Sequence, residues 1–237
     1  SVREALKLRR HIHLEPRVQG LQPAAASRRF PSYLAPAMTQ LPELPLTLSR
    51  QEIRKMIRQR RRALTPEQQQ EMGQQAATRM MTYPPVVMAH TVAVFLSFDG
   101  ELDTQPLIEQ LWRAGKRVYL PVLHPFSAGN LLFLNYHPQS ELVMNRLKIH
   151  EPKLDVRDVL PLSRLDVLIT PLVAFDEYGQ RLGMGGGFYD RTLQNWQHYK
   201  MQPVGYAHDC QLVEKLPVEE WDIPLPAVVT PSKVWEW

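Results

Sequence analysis

The sequence predicts an α/β domain built on a mostly parallel β-sheet covered on both faces. Three observations carry that reading. Residues 91–97 (TVAVFLS), 117–123 (RVYLPVL) and 165–171 (LDVLITP) are largely apolar or β-branched throughout instead of alternating, the profile of strands buried on both sides. Segments with helix start and stop signals separate them, and strands alternating with helices favour parallel pairing through crossover connections. Apolar residues make up 44% of the 237, enough for a real core, yet no run approaches the roughly 18–20 apolar residues needed to span a bilayer.

Residues 1–37 stand apart from this pattern. They hold seven basic residues against Glu4 and Glu15, mix arginine with Pro, Ala and Ser, and show no clear periodicity. The remaining residues carry 21 basic and 22 acidic side chains, so the overall charge of +4 belongs to the leader. A nucleic-acid or membrane partner inferred from that charge would rest on the leader alone, and neither is expected. The leader lacks the continuous apolar stretch of a secretory signal. It reads as an upstream extension before a start at Met38, as a transit-like peptide, or as a functional basic arm. We take the first reading and place the domain at 38–237. The single cysteine, Cys210, excludes an internal disulfide and suits a reducing, cytoplasmic setting.

After Pro42 and Pro45, Ser49 and Glu52 have capping-box spacing and open a helix to about Leu64. Thr65-Pro66-Glu67-Gln68 repeats the signal, with proline at the first helical position, and starts a second helix to about Met81 that Pro84-Pro85 stops. The strand at 91–97 follows. Asp103 or Thr104 caps a helix through Leu107, Ile108, Leu111 and Trp112, and Gly115 ends it. Residues 117–123 form the next strand and 131–136 a further one. The strand at 165–171 leads through Asp176-Glu177-Tyr178-Gly179 into a glycine run, then into a helix from Phe188 to about Trp196. Residues 204–207 and 227–230 are short strands. In such sheets ligands sit at the carboxyl ends of strands, where both the glycine run and the segment after Ser97 fall.

The run Gly183-Met184-Gly185-Gly186-Gly187-Phe188-Tyr189-Asp190-Arg191 holds four of the chain's eleven glycines in five positions. Glycines let backbone N–H groups converge on an anion, and a following helix start adds positive potential. Asp190 sets a carboxylate beside that position. The run is not a P-loop, because no Lys-Ser/Thr follows, and counted from Gly183 the dinucleotide pattern fails at Phe188. Residue chemistry alone leaves two readings open: an anion-binding loop, or a glycine turn that permits tight packing. His124, His137, His150, His198 and His208 lack metal-ligand spacing.

The stretch from Arg181 to Arg191 resembles the signature of the 5-formyltetrahydrofolate cyclo-ligase family, also called 5,10-methenyltetrahydrofolate synthetases. The similarity runs from about Ser49 to Thr230, and from Met38 the chain resembles the enterobacterial member. Supporting matches are Arg50-x-x-Ile53-Arg54, Glu101-Leu102-Asp103-Thr104, Ile149-x-Glu151-Pro152, Pro171 with Phe175-Asp176, and Pro217 with Asp222.

This resemblance implies a three-layer sandwich like the sugar-phosphate isomerase and CoA-transferase-like folds. It also implies a reaction in which 5-formyltetrahydrofolate and ATP give 5,10-methenyltetrahydrofolate, ADP and phosphate, without a protein nucleophile. The implied ATP contacts are Arg50, Arg54, Arg181, Gly183, Met184, Gly185, Gly186, Gly187, Phe188 and Tyr189. Arg181 and Asp190 are the implied catalytic pair, and Asp190 and Asp222 the magnesium-associated acids. Phe98, Asp103 and Met184 to Phe188 are the implied folate contacts.

Each role has a structural alternative. Asp190 would also suit a helix start, Asp222 a loop, Asp103 a helix cap, and Arg50 with Arg54 a solvated basic face. Arg50 stands where the family often has Lys, Met184 where Arg is frequent, and Phe188 where Tyr is common. The expected enzyme is a monomer acting on small molecules.

Overall fold

The structure is a computed structural model that describes residues 48–237, so the expectations about residues 1–37 and the start at Met38 lie outside the described residues. Two capping boxes set the first helices. Ser49 accepts the Glu52 amide and opens α1 (Arg50–Arg62), while Thr65 accepts the Gln68 amide and opens α2 (Pro66–Thr82). Pro84 and Pro85 end α2 as expected but also start a single turn, α3 (Pro84–Val87). Proline tolerates a first helical turn because its missing N–H would be unpaired there.

The main sheet has eight strands. In chain order they are β1 (Thr91–Ala93), β2 (Arg117–Leu123), β3 (Leu131–Tyr136), β6 (Val159–Leu160), β7 (Val167–Thr170), β10 (Gln202–Tyr206), β12 (Ala227–Val229) and β13 (Val234–Glu236). Their spatial order is β13-β12-β10-β7-β1-β2-β3-β6. The five central strands are parallel, and β13, β3 and β6 add antiparallel edges. Helix α4 (Gln105–Arg113) makes the crossover from β1 to β2. A hairpin of β4 (Leu142–Met144) and β5 (His150–Pro152) projects beside β2.

Alternation explains the continuous apolar runs, because both faces are buried. Val92, Val118, Val167, Ile169, Val204 and Val229 face α2 and α4 in one cluster. Ala93, Tyr119, Leu168 and Val228 face the other side, against Phe175, Leu193 and Trp196. The second covering layer is thinner than the sequence suggests. It consists of α5 (Phe188–Leu193), a 3₁₀ turn at Trp196–His198 and a small three-stranded sheet. Asn195 in the left-handed region (φ 57°) stops α5 short of the expected end at Trp196.

That small sheet, ordered β11 (Leu212–Val213), β8 (Ala174–Asp176), β9 (Arg181–Leu182), was not anticipated. It places the glycine run after β9, one hairpin beyond the main-sheet strand expected to deliver it. Helix α1 packs Ile53 and Ile57 against its Ala174, Leu182 and Val213 in a third apolar cluster. Strand β1 is also shorter than the expected 91–97. Beyond Val94, whose amide still donates to Tyr119, the Thr104 hydroxyl takes over: it donates to the Phe95 carbonyl at 2.7 Å and accepts the Ser97 amide at 3.3 Å. One side chain replaces a neighbouring strand and frees residues 95–101 to leave the sheet. Among the described residues no helix is long and apolar enough to cross a membrane.

Asp166 ties the amino ends of β1 and β7 together, accepting from the His90 and Thr91 amides and pairing with Lys200 at 2.9 Å. Burial alone would raise its pKa, but Lys200 and the two amides more than offset that and hold the carboxyl below its ordinary value. A depressed carboxyl stabilises the fold above the unfolded pKa and loses that contribution as pH falls through the folded one. Asp166→Asn should therefore melt below the wild type at pH 7, by several degrees. The gap between the two melting curves should close as the pH is taken below about 4.

Candidate functional site

The chain leaves β1 for β2 on one side, while β7 pairs with β1 on the other, so a crevice opens at the carboxyl ends of these strands. A cavity of about 530 Å³ occupies it. One half is apolar, walled by Phe95, Leu120, Leu131 and Leu172, and the other half carries the glycine run and three arginines. That volume is in the range of small-molecule sites.

The glycine run needs its glycines. Gly185 has φ 109° and Gly187, the residue before α5, has φ 70°, where a side chain is strained. A Cβ on Gly186 would lie 2.8 Å from the Phe188 ring. The loop's carbonyls are turned onto arginines: Arg54 Nε donates to the Gly183 carbonyl at 2.8 Å, and Arg191 donates to those of Gly186 and Gly129. The amides of Met184, Gly185, Gly186 and Gly187 donate to no protein group among the described residues. Free amides on a loop without side-chain cover form an anion receptor.

Two arginine–aspartate pairs flank the loop. Arg50 grips Asp222 through both terminal nitrogens, at 2.6 and 3.0 Å, and Asp222 also accepts the Glu219 amide. Arg181 donates Nε to the Pro171 carbonyl at 2.8 Å, stands 3.6 Å from Asp190 and lies over the Tyr189 ring. Arg181 and Arg54 are 6% and 8% exposed, so neither is a solvated surface cation. Burial pulls the pKa of both guanidiniums down. Asp190 opposes this at Arg181, whereas at Arg54 the charges of Arg50 and Arg58 add to it. Further along α1, Arg58, Arg61 and Arg62 converge on Asp99. The basic helix is therefore largely committed to internal partners, not laid out as an open face.

The loop after β1 supplies the polar group of the apolar half. Asp99 and Gly100 have φ 50° and 74°, which turns Phe98 and Glu101 towards the cavity. Two groups hold the Gly100 carbonyl: Gln69 donates to it at 3.2 Å, and His208 Nε2 lies 3.2 Å away. Burial pushes the His208 pKa down to about 4, so the ring is neutral and its Nε2–H can donate. Glu101 accepts the Phe98 amide, yet burial raises its pKa to about 7 against the opposing pull of that amide and Arg61.

Glu101 was quoted in a sequence motif without a role. The structure places Asp103, the expected folate contact, outside the cavity wall. Its carboxylate caps the Gln105 amide at 3.0 Å and lies 3.5 Å from Ser97 Oγ. The other unassigned carboxylate, Glu151, lines the cavity and is held by the Leu123 amide and the Asn145 side chain. The remaining expected residues, Arg50, Arg54, Phe98, Arg181, Met184 to Tyr189 and Asp190, all border the cavity, with Asp222 just behind Arg50. No cluster of three or more His, Cys, Asp or Glu suited to a metal occurs among the described residues.

Residues 47–231 match the model of the 5-formyltetrahydrofolate cyclo-ligase family. The 5-formyltetrahydrofolate cyclo-ligase of Haemophilus influenzae is 53% identical over 179 residues, covering 76% of this chain and 96% of the relative. The solved structure of Aquifex aeolicus 5,10-methenyltetrahydrofolate synthetase superposes with a TM-score of 0.69 at 28% identity, over 80% of this chain and 93% of that one. The Mycoplasma pneumoniae 5,10-methenyltetrahydrofolate synthetase shares the fold, with a TM-score of 0.62 at 21% identity, over 78% of this chain and all of that one.

The raised Glu101 pKa has a measurable signature. The folded protein holds this proton more tightly than the unfolded chain, so wild-type stability should fall as pH rises from 4.5 to about 7. Glu101→Gln should flatten that segment of the stability curve in urea titrations at stepped pH, and an unchanged slope would rule out the buried acid.

Proposed function

The chain belongs to the 5-formyltetrahydrofolate cyclo-ligase family, and on that footing we propose how its cavity performs the family's reaction. It is an ATP-dependent ligase that converts 5-formyltetrahydrofolate to 5,10-methenyltetrahydrofolate, releasing ADP and phosphate. The observation that carries the site reading is the convergence of two buried guanidiniums, Arg54 and Arg181, with four amides that have no partner among the described residues, on one wall of the cavity. Donors and positive charge gathered in this way suit an anion.

The triphosphate binds along Gly183 to Tyr189, with the Met184–Gly187 amides and Arg54 and Arg181 facing its oxygens and Arg50 at its outer end. The pterin occupies the apolar half, with Phe98 against its ring and Glu101 accepting from its N–H groups. Asp103 acts at one remove by fixing the 97–105 segment that carries both. The loop residues Met184 to Phe188 lie between the two ligands and touch both.

A formamide carbonyl is a poor electrophile, and expelling its oxygen as hydroxide is unfavourable. The formyl oxygen attacks the γ-phosphorus, an O–P bond forms and ADP leaves. N10 then attacks the activated formyl carbon, closing the five-membered ring. N10 gives up its proton to solvent, the C–O bond breaks, and phosphate departs with the oxygen. Catalysis is positioning and charge neutralisation, with no covalent enzyme intermediate. Arg181 stabilises charge on the transferred phosphoryl group.

The residues fit a magnesium ion. Asp190 has only the Arg181 contact and a 3.4 Å hydrogen bond from the Ile223 amide, leaving oxygen lone pairs free, and Asp222 is a second carboxylate nearby. Two hard oxygen ligands complemented by phosphate oxygens and water suit that ion. Bound there, it would neutralise phosphate charge. Asp222 shares its oxygens between Arg50 and the Glu219 amide and keeps acceptor capacity for the ion, while Arg50 turns its remaining donors to phosphate.

We propose that the enzyme acts as a monomer on small molecules. We place the enzyme in the cytoplasm and assign it no nucleic-acid or membrane partner, with the domain at 38–237. Mixing protein, ATP, magnesium and 5-formyltetrahydrofolate should yield the methenyl product, followed by its near-ultraviolet absorbance. Asp190→Ala and Arg181→Ala should each lower kcat by about 10²-fold or more while the proteins stay folded. Retained turnover would remove those residues from the reaction. A chain beginning at residue 38 should keep the wild-type rate and melting temperature.

A further inference from the structure

Trp221 is an anomaly that the reaction does not explain. Its side chain borders the cavity, yet the residue is 63% exposed, and its indole has no hydrogen bond or aromatic partner among the described residues. The other tryptophans are buried or half-buried. An exposed indole is usually mobile, but this one is mounted on fixed backbone. It occupies the third position of a turn closed by the Asp222 amide donating to the Glu219 carbonyl at 3.1 Å and by the Glu219 amide donating to Asp222 Oδ2 at 2.8 Å. Arg50 holds the Asp222 end, and it also reaches the Pro217 carbonyl at 3.3 Å. The Ile223 amide donates to Asp190. Asp222, next to Trp221, and Ile223, one residue further on, are thus anchored to Arg50 and Asp190, charges assigned to the phosphates and their magnesium ion.

A large rigid π-surface left wet beside a phosphate receptor is a platform for a flat ring. The pterin has its own apolar enclosure on the opposite side, next to Glu101. We infer that Trp221 is the base platform of the nucleotide, stacking on the purine of the nucleoside triphosphate and setting how much affinity the base adds to the phosphates. The inference rests on the phosphate reading of the glycine loop. It predicts that the turn at 219–222 and the Arg50 that holds it serve two ends of one ligand, the base through Trp221 and the phosphates through Arg50.

The test separates base from phosphate by titrating the full-length protein with ATP and, in parallel, with inorganic tripolyphosphate by calorimetry. Trp221→Ala should weaken ATP on the order of tenfold or more and leave tripolyphosphate within about twofold. Trp221→Phe, which keeps a ring, should restore most of the ATP affinity. The KM for 5-formyltetrahydrofolate should not move. In the wild type, ATP should quench tryptophan fluorescence and tripolyphosphate should not. Equal weakening of both ligands, no weakening of either, or a change confined to the folate KM would overturn the base platform while leaving the phosphate site standing. Failure of the wild type to bind either ligand would overturn both.

Discussion

Three guanidinium groups hold the site together. Arg50 and Arg54 leave the same face of α1, one to Asp222 in the C-terminal turn and the other to the Gly183 carbonyl, while Arg181 crosses back to Pro171 at the end of β7. Segments 10, 129 and 172 residues apart become one wall because each arginine has several donors in a planar fork and only part of that capacity is spent on the protein. Burying such groups is costly unless they are paired. The glycine loop meets part of that demand: its Gly183 and Gly186 carbonyls accept from Arg54 and Arg191, and turning them that way leaves its amides for a ligand. A loop with side chains could not present both faces of the peptide at once.

The same logic accounts for the division of the cavity. The charged wall lies against the small sheet and α1, and the apolar wall belongs to the main sheet. In the proposed site, charge-directed recognition of a triphosphate and shape-directed recognition of a ring system are kept on different supports, meeting at the loop between Met184 and Phe188. On that proposal the activated formyl oxygen lies at the meeting point, and the loop is shared between ligands.

Most of the main sheet was legible from the chain. Runs such as 91–97 and 165–171 read as strands because both faces are buried, and the capping boxes at Ser49 and Thr65 announced their helices. The pieces that were not legible are short. Strands β8, β9 and β11 span three, two and two residues, too few for any periodicity to register, and they are stabilised by α1 packing from far away in sequence. Residue chemistry left the glycine run open between an anion-binding loop and a tight turn, and its proposed assignment to phosphate rests on family resemblance, not on spacing. Choosing between Glu101 and Asp103 was beyond the sequence. The two acids are separated by one leucine, and only the positive φ values at Asp99 and Gly100 turn the first inward and leave the second to cap a helix. Two successive left-handed residues in Asp-Gly were the available signal.

The unequal size of the apolar clusters has a consequence for how the molecule comes apart. The two clusters on the main sheet contain 21 and 15 buried residues, whereas the one joining α1 to the small sheet contains seven. Cooperative units with little apolar contact open at lower free energy than the global transition. Under mild denaturant the hinge between α1 and the small sheet should give way first, so amide exchange there would outpace exchange in β1 and β7. Nucleotide would then act as a clasp on the weakest seam of the protein, and its removal, more than heat, would decide how long the enzyme survives proteases.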